Sequence, residues 1–387
     1  AEINLKSDDI VNMGMAKMAK SPVLLVGDID RGGVFAQLAG TMMLLEEEEK
    51  QLVKGLIINK FRGDKTILDP GIVMLEELCH RSVVGVTPYM DIDVEDEDSL
   101  SERMSNEKAV GQIDLAVVQL PRISNFTDFN IFESIPGVSV RYVKRASQLG
   151  NPDLILLPGT KNTMSDLAWM RQSGMEAAVL KAHAAGCPIF GICGGYQMLG
   201  EELSDPSGVE EGGTMRGMGL LPMHTFFTEE KTRTRVNGQF LQVKGDLSGL
   251  SGAAFSGYEI HMGQSVSDGN LSMLTKISDH CNHVDHTYDE IADSGSKTLS
   301  QNNGAMEKCE GAMAENVYGS YVHGIFDAQE VVNAVVKALA EKKGIDPAGL
   351  AQMDYAAYKE TQYDKMADIL RKYLDMEQIY RILDEGV

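Results

Sequence analysis

The chain has 387 residues, 43% of them hydrophobic and 24% charged, the make-up of a globular protein of two or three domains. A formal net charge of -22 argues against nucleic acid and anionic membrane as partners, because both are held by clustered Lys and Arg. No apolar run approaches the roughly 18 residues of a bilayer span, and the N-terminus carries no charged-then-apolar signal pattern. Five scattered Cys, an odd and unpatterned number, point to a reducing cytoplasm and not to a disulfide framework.

From the N-terminus, a helical pattern over Asp8 to Lys20 comes first, where a doubly wound domain would open with a strand. Pro22 to Gly27 reads as a buried parallel strand, Val34 to Leu45 as a helix, and Glu46 to Glu49 as its solvated end. Leu56 to Ile58 and Val83 to Val86 continue the sheet. Continuous Val, Ile and Leu runs without alternation fit strands covered on both faces. The acidic run Asp91 to Asp98 reads as a solvated linker before a cation site. The α/β rhythm restarts with strands at Asp114 to Leu120, Val138 to Val143 and Leu154 to Leu157, a helix at Met175 to Ala185, and a short strand at Pro188 to Gly191. Ser265 to Gly311 turns polar. A strand resumes at Val317 to Val322, and amphipathic helices cover Val331 to Lys343 and Tyr355 to Leu383.

Two segments carry chemistry. The strand before Cys193 runs into Gly191-Ile192-Cys193-Gly194-Gly195, a G-x-C-x-G elbow whose strained turn needs small flanking residues. The helix behind it favours thiolate, and the Gly194 N–H is placed to donate to an oxyanion. His323, at the end of a strand where α/β sites collect, is the best base for that thiol. The Pro158-Gly159 turn offers a second oxyanion donor at Gly159 or its neighbour. Further upstream, Leu24 to Gly33 (LLVGDIDRGG) ends a strand in Asp28 and Asp30, a Walker-B-like edge for Mg²⁺ and phosphate, and Asn59 follows the next strand where its amide can read a base.

These motifs resemble the class I glutamine amidotransferases, more narrowly the subgroup acting on corrin precursors. GDIDRGGVFA, INKFRGD, GICGGYQMLG, GYEIHMG and YVHGIFD together resemble the cobyric acid synthase family over nearly the whole chain. The resemblance implies a cytoplasmic, glutamine-hydrolysing amide ligase of cobalamin biosynthesis. It would amidate the b, d, e and g carboxylates of adenosylcobyrinic acid a,c-diamide, with ATP and Mg as co-substrates and no tightly bound cofactor. Its partners are then glutamine, ATP and the corrinoid, with no nucleic acid and no membrane. Catalytic Cys193 and His323, an oxyanion hole at Gly159 and Gly194, and a nucleotide and Mg edge at Asp28, Asp30 and Asn59 are carried over on these motifs, with no resident metal.

The implied fold is α/β: a truncated P-loop-type doubly wound ligase domain followed by a flavodoxin-like glutamine amidotransferase domain. The expected boundaries are 1–105 for the ligase part, 112–328 for the glutaminase and 329–387 for C-terminal helices. Two departures stand out. No G-x-x-x-x-G-K-S/T occurs, so the family's P-loop is expected upstream of Ala1, and ligase activity of the chain as it stands is doubtful. The Glu that usually follows the catalytic His by two residues is Ile325, so His323 needs another partner. The alternatives are an amidotransferase with another acceptor, such as cobyrinic acid a,c-diamide synthase or a cell-wall amidating enzyme, and a non-catalytic glutaminase-like module. Tyr258, Glu259 and His261 of GYEIHMG are expected near the active site. The His- and Asp-rich stretch Asp279 to His286 reads as a surface loop before a metal site.

Overall fold

A computed structural model of the chain describes residues 4, 6, 9–94, 110–267, 271–280, 307–347, 350 and 355–387. The chain divides into two compact units, Ala1–Val94 with Ala356–Val387, and Glu95–Tyr355.

In the first unit, β1 (Val23–Asp28), β2 (Val53–Phe61) and β3 (Val83–Pro88) form a parallel sheet in that order. The helices α1 (Asn12–Ala19), α2 (Val34–Leu44), α3 (Glu47–Leu52) and α4 (Lys65–Cys79) alternate with them. The core is small: Val34, Leu38, Leu56, Ile58 and Leu75 are buried together. Glu46 to Glu49 is not the solvated end of α2. Leu45 takes extended backbone, and a capping box of Glu46 and Glu49 starts the separate helix α3. Glu49 is buried because Lys6 and Lys17 neutralise it, at 2.6 and 3.2 Å.

The second unit carries one large mixed sheet. Its parallel part runs β6 (Val138–Val143), β4 (Ile113–Val118), β7 (Leu154–Leu157), β9 (Ile189–Ile192) and β16 (Val317–Ser320). Every residue of β4, β7, β9 and β16 is buried, as continuous apolar runs require. The sheet continues antiparallel through β15 (Glu307–Ala314) and β14 (Ser272–His280) to β12 (Met223–Phe240), which pairs with β13 (Ala254–Ser267), and β10 (Glu202–Asp205) and β11 (Gly213–Arg216) close that edge. Both flanks of the polar stretch Ser265 to Gly311 are strands, and 268–270 and 281–306 lie outside the described residues. Short strands β5 (Ile123–Ser124) and β8 (Gly159–Thr160) pair with each other, and β17 (Val322–His323) pairs with β13. Helices α5 (Asn130–Glu133), α6 (Ala146–Leu149), α7 (Thr163–Gln172), α8 (Met175–Ala184), α9 (Gly194–Met198) and α10 (Gln329–Lys343) complete this unit.

The C-terminal helices divide. α10 belongs to the second unit, whereas α11 (Tyr355–Tyr373) and α12 (Met376–Glu385) run through the C-terminal part of the first. The helical stretch breaks at Leu374, whose backbone bridges Gly85, while the Asp375 N–H donates to Val84 O at 2.7 Å.

Candidate active site

The site lies at the C-terminal ends of the parallel strands of the second unit. β9 delivers Cys193 with φ +50° and ψ -108°, a conformation strained for any residue with a Cβ. The turn is held by close backbone approach. A Cβ on Gly195 would lie 2.1 Å from Leu157 O, and one on Gly191 would meet Gly195 at 2.7 Å, so neither position accepts a side chain. The Cys193 N–H donates to Ser320 O (2.8 Å), and the Gly195 N–H donates to Pro158 O (3.0 Å). The Gly194 N–H, at the first position of α9, has no such strand partner, and a Cβ on Gly194 would come within 3.2 Å of the Thr160 amide. A Cβ added to Gly159 would sit 3.0 Å from His323 Cε1.

His323 is 1% exposed. Its Nδ1 donates to Asp128 Oδ2 at 2.8 Å, and Asp128 Oδ1 accepts the Gly324 N–H at 3.0 Å. Asp128 is itself 4% exposed and sits in the single turn Phe126–Phe129 that follows β5. This is the partner that Ile325, fully buried in the apolar core, does not provide. At His323 Nε2 the Asn125 amide nitrogen stands at 2.9 Å, from a residue with φ +49°. In the neutral imidazole the amide donates to Nε2; the imidazolium instead requires the amide oxygen there. Burial works to depress the imidazole. The Asp128 carboxylate and then the Cys193 sulfur outweigh it and raise it to about 10. A carboxylate, an imidazole and a thiol in this order can move a proton from sulfur and return it to a leaving group.

A cavity of about 380 Å³ opens on Cys193 and His323. Ser124, Asn125, Thr163, Gln197 and Ile260 are among its lining, and Glu210, Lys161 and Lys231 supply its charges. The Cys193 thiol donates to Ile260 O at 3.7 Å. The GYEIHMG segment forms part of this wall: Tyr258 pairs in register with His323 and stacks on it at 5.3 Å, and His261 reaches the cavity. Glu259 is buried against Lys308 (2.9 Å).

In the first unit, Asp28 and Asn59 are register partners at the C-terminal ends of β1 and β2. Asp28 Oδ2 is paired to Lys60 at 2.9 Å, and Asp30 Oδ1 to Arg62 at 2.7 Å. The Lys60 ammonium holds the Asp28 carboxyl below its usual range. Asn59 Oδ1 accepts from Thr87 Oγ1 (2.5 Å) and from the Lys60 N–H (2.9 Å), which turns its amide nitrogen the other way. Arg62 lies over the Tyr89 ring at 3.5 Å. Among the described residues no group of three or more His, Cys, Asp or Glu could hold a metal. Asp279 to His286 falls largely outside the described residues, as does the second half of Asp91 to Asp98.

Asp128 and Asn125 escaped the sequence reading. The available signal was an acid set among aromatics in Asn125-Phe126-Thr127-Asp128-Phe129, where burial requires a partner.

The elbow, the buried imidazole and the parallel sheet beneath them define a glutamine amidotransferase of the class I kind, and residues 114–331 match the family model for the CobB/CobQ-like glutamine amidotransferase domain. The chain is 54% identical to a cobyric acid synthase of Ruminiclostridium cellulolyticum, aligned over 100% of this chain and 71% of the relative. It is 52% identical to one of Lachnoclostridium phytofermentans (100% and 73%) and 45% identical to one of Citrobacter koseri (100% and 72%). The chain belongs to the cobyric acid synthase family. Among the described residues no helix is long and apolar enough to cross a membrane.

Proposed function

We propose that the chain hydrolyses glutamine at Cys193, and that the ammonia serves ATP-driven amidation of the b, d, e and g carboxylates of adenosylcobyrinic acid a,c-diamide in the cytoplasm. The observation that carries the reading is the juxtaposition of a strained elbow cysteine with a buried His323–Asp128 pair in one cavity.

In this reading His323 is an imidazolium at neutral pH that has already taken the Cys193 proton, and the sulfur attacks the side-chain carbonyl carbon of glutamine as thiolate. Asp128 holds Nδ1–H and so keeps Nε2 facing the sulfur; Asn125 must yield or turn its amide as Nε2 gains the proton. Negative charge develops on the carbonyl oxygen between the Gly194 N–H and the turn at Gly159 and Thr160. The imidazolium then protonates the departing nitrogen, leaving a thioester. Water hydrolyses it with His323 as base, releasing glutamate and restoring the thiolate. The ammonium and carboxylate of the amino acid find opposite charges in Glu210 and in Lys161 and Lys231.

For the nucleotide, Asn59 is suited to a base edge and Lys60 and Arg62 to phosphate oxygens. Asp28 and Asp30 fit Mg²⁺ poorly as they stand, since each is already neutralised by a cation. No step is therefore assigned to the metal. The test is glutaminase turnover by the purified chain and by its Cys193→Ser variant. Retention of more than about a tenth of the rate by the variant would sink the assignment, since loss of a nucleophile costs orders of magnitude.

A further inference from the structure

Glu310, on β15, is a buried carboxylate to which the chemistry above gives no task. Its Oε1 accepts the Tyr321 N–H at 2.6 Å. Its Oε2 accepts the Ser320 hydroxyl at 2.7 Å and lies 3.1 Å from the Thr275 hydroxyl, which also donates to the Glu310 carbonyl oxygen at 2.9 Å. The Ser320 oxygen in turn accepts the Val322 N–H at 3.0 Å. One carboxyl group thus anchors three consecutive residues, at the break between β16 and β17. The same segment touches both members of the thiol–imidazole pair. Ser320 O accepts the Cys193 N–H, and Val322 leads directly into His323. The Tyr321 hydroxyl, in addition, accepts from Gln197 Nε2 at 3.3 Å beside the cavity.

We propose that Glu310 is a positioning residue for His323, its ionised carboxylate fixing the Ser320–Val322 kink that aims the imidazole at Cys193. The inference rests on the roles proposed for Cys193 and His323. The Tyr321 N–H can only donate, at 2.6 Å, and the Ser320 hydroxyl, which accepts the Val322 N–H, donates to the other oxygen, an arrangement that favours a carboxylate. Among the described residues Glu310 makes no ion pair. Lys308, on its own strand, binds Glu259 instead. The titratable groups around it are Glu259 from β13, Tyr321 and Tyr196 from α9. Burial pushes the Glu310 carboxyl up to about 7 against the pull of its donors, so the anchor changes charge near neutrality.

Glu310→Gln keeps the shape and one acceptor but cannot satisfy donors on both sides. Its glutaminase kcat at pH 8 should fall about tenfold with KM little changed, because glutamine does not touch this residue. Near pH 6, where wild-type Glu310 is protonated, the two proteins should converge. Glu310→Asp keeps the carboxylate and should keep the wild-type pH trend at a lower rate, and it serves if the Gln variant fails to fold. A wild-type to Glu310→Gln ratio that is flat from pH 6 to 8 overturns the proposal, as does an unchanged kcat at pH 8 or an Asp variant without the pH trend. Absence of any Cys193-dependent hydrolysis by the wild-type chain instead removes the reading on which the proposal rests.

Discussion

The ends of the parallel strands in the two units treat charged groups in opposite ways. In the second unit Cys193 is strained, Asp128 and His323 are buried on one another, and the imidazole is displaced far from its solution behaviour. At the β1–β2 edge Asp28 and Asp30 stand partly in water, each matched with a cation from β2 or just after it. Burial without full compensation stores reactivity, whereas exposure with a partner stores little energy and leaves the groups free to exchange partners with a ligand. The same backbone position, the C-terminal end of a parallel strand, thus carries two different electrostatic regimes.

Breaking the buried side should cost most. Cys193→Ser is expected to lower glutamine turnover by at least about 10³-fold, read as ammonia released per enzyme. Next comes Asp128→Asn, which preserves shape but no longer stabilises the imidazolium, with an expected fall in kcat of about 10²–10³-fold and little change in KM. Ile325→Ala, at the position where the wider family usually has its acid, is expected to lose stability by cavity formation while keeping far more activity than Asp128→Asn. Equal kinetic damage in the two variants would return the orienting role to position 325.

The buried pair also writes a signature in stability. Because the imidazole is raised from 6.5 to about 10, its ionic contribution is fully present below about 6.5 and is lost as pH rises through about 10. Melting temperatures between pH 7 and 10.5 should therefore fall more steeply for the wild type than for Asp128→Asn. Parallel curves would mean that the two groups do not share this charge.

At the cavity mouth the expected effect is smaller and falls on binding. Glu210→Gln should raise KM for glutamine about tenfold with kcat nearly intact, the size of one charge-assisted hydrogen bond. The exposed edge should respond least. Asp28→Asn is expected to change unfolding stability by under about 1 kcal/mol, measured by urea titration, and to leave glutaminase turnover untouched. A large loss there would erase the contrast between the two regions.

How much of this could be read in advance depended on whether the signal was local. β4, β7, β9 and β16 announced themselves because a strand buried on both faces must be apolar throughout. Cys193 and His323 stood out because an elbow and a strand end are local features, and the structure brings both to one cavity. The β12–β13 ribbon was invisible: most of Glu229 to Arg235 is solvent-facing, and its strand character comes from pairing with β13 and β14. Glu49 looked solvated because its partners Lys6 and Lys17 lie some thirty or more residues away in sequence. Asp128 had no spacing rule relative to His323, since a carboxylate can reach an imidazole from any element that folds beside it.

That last separation has a consequence for the life of the chain. The orienting carboxylate and the imidazole lie 195 residues apart, with the thiol between them. A nascent or half-folded molecule has the sulfur but not yet the apparatus that makes it reactive, because non-local contacts of this kind form only when the whole domain closes. On the roles proposed for Cys193, His323 and Asp128, glutamine hydrolysis would then begin only once the domain has closed.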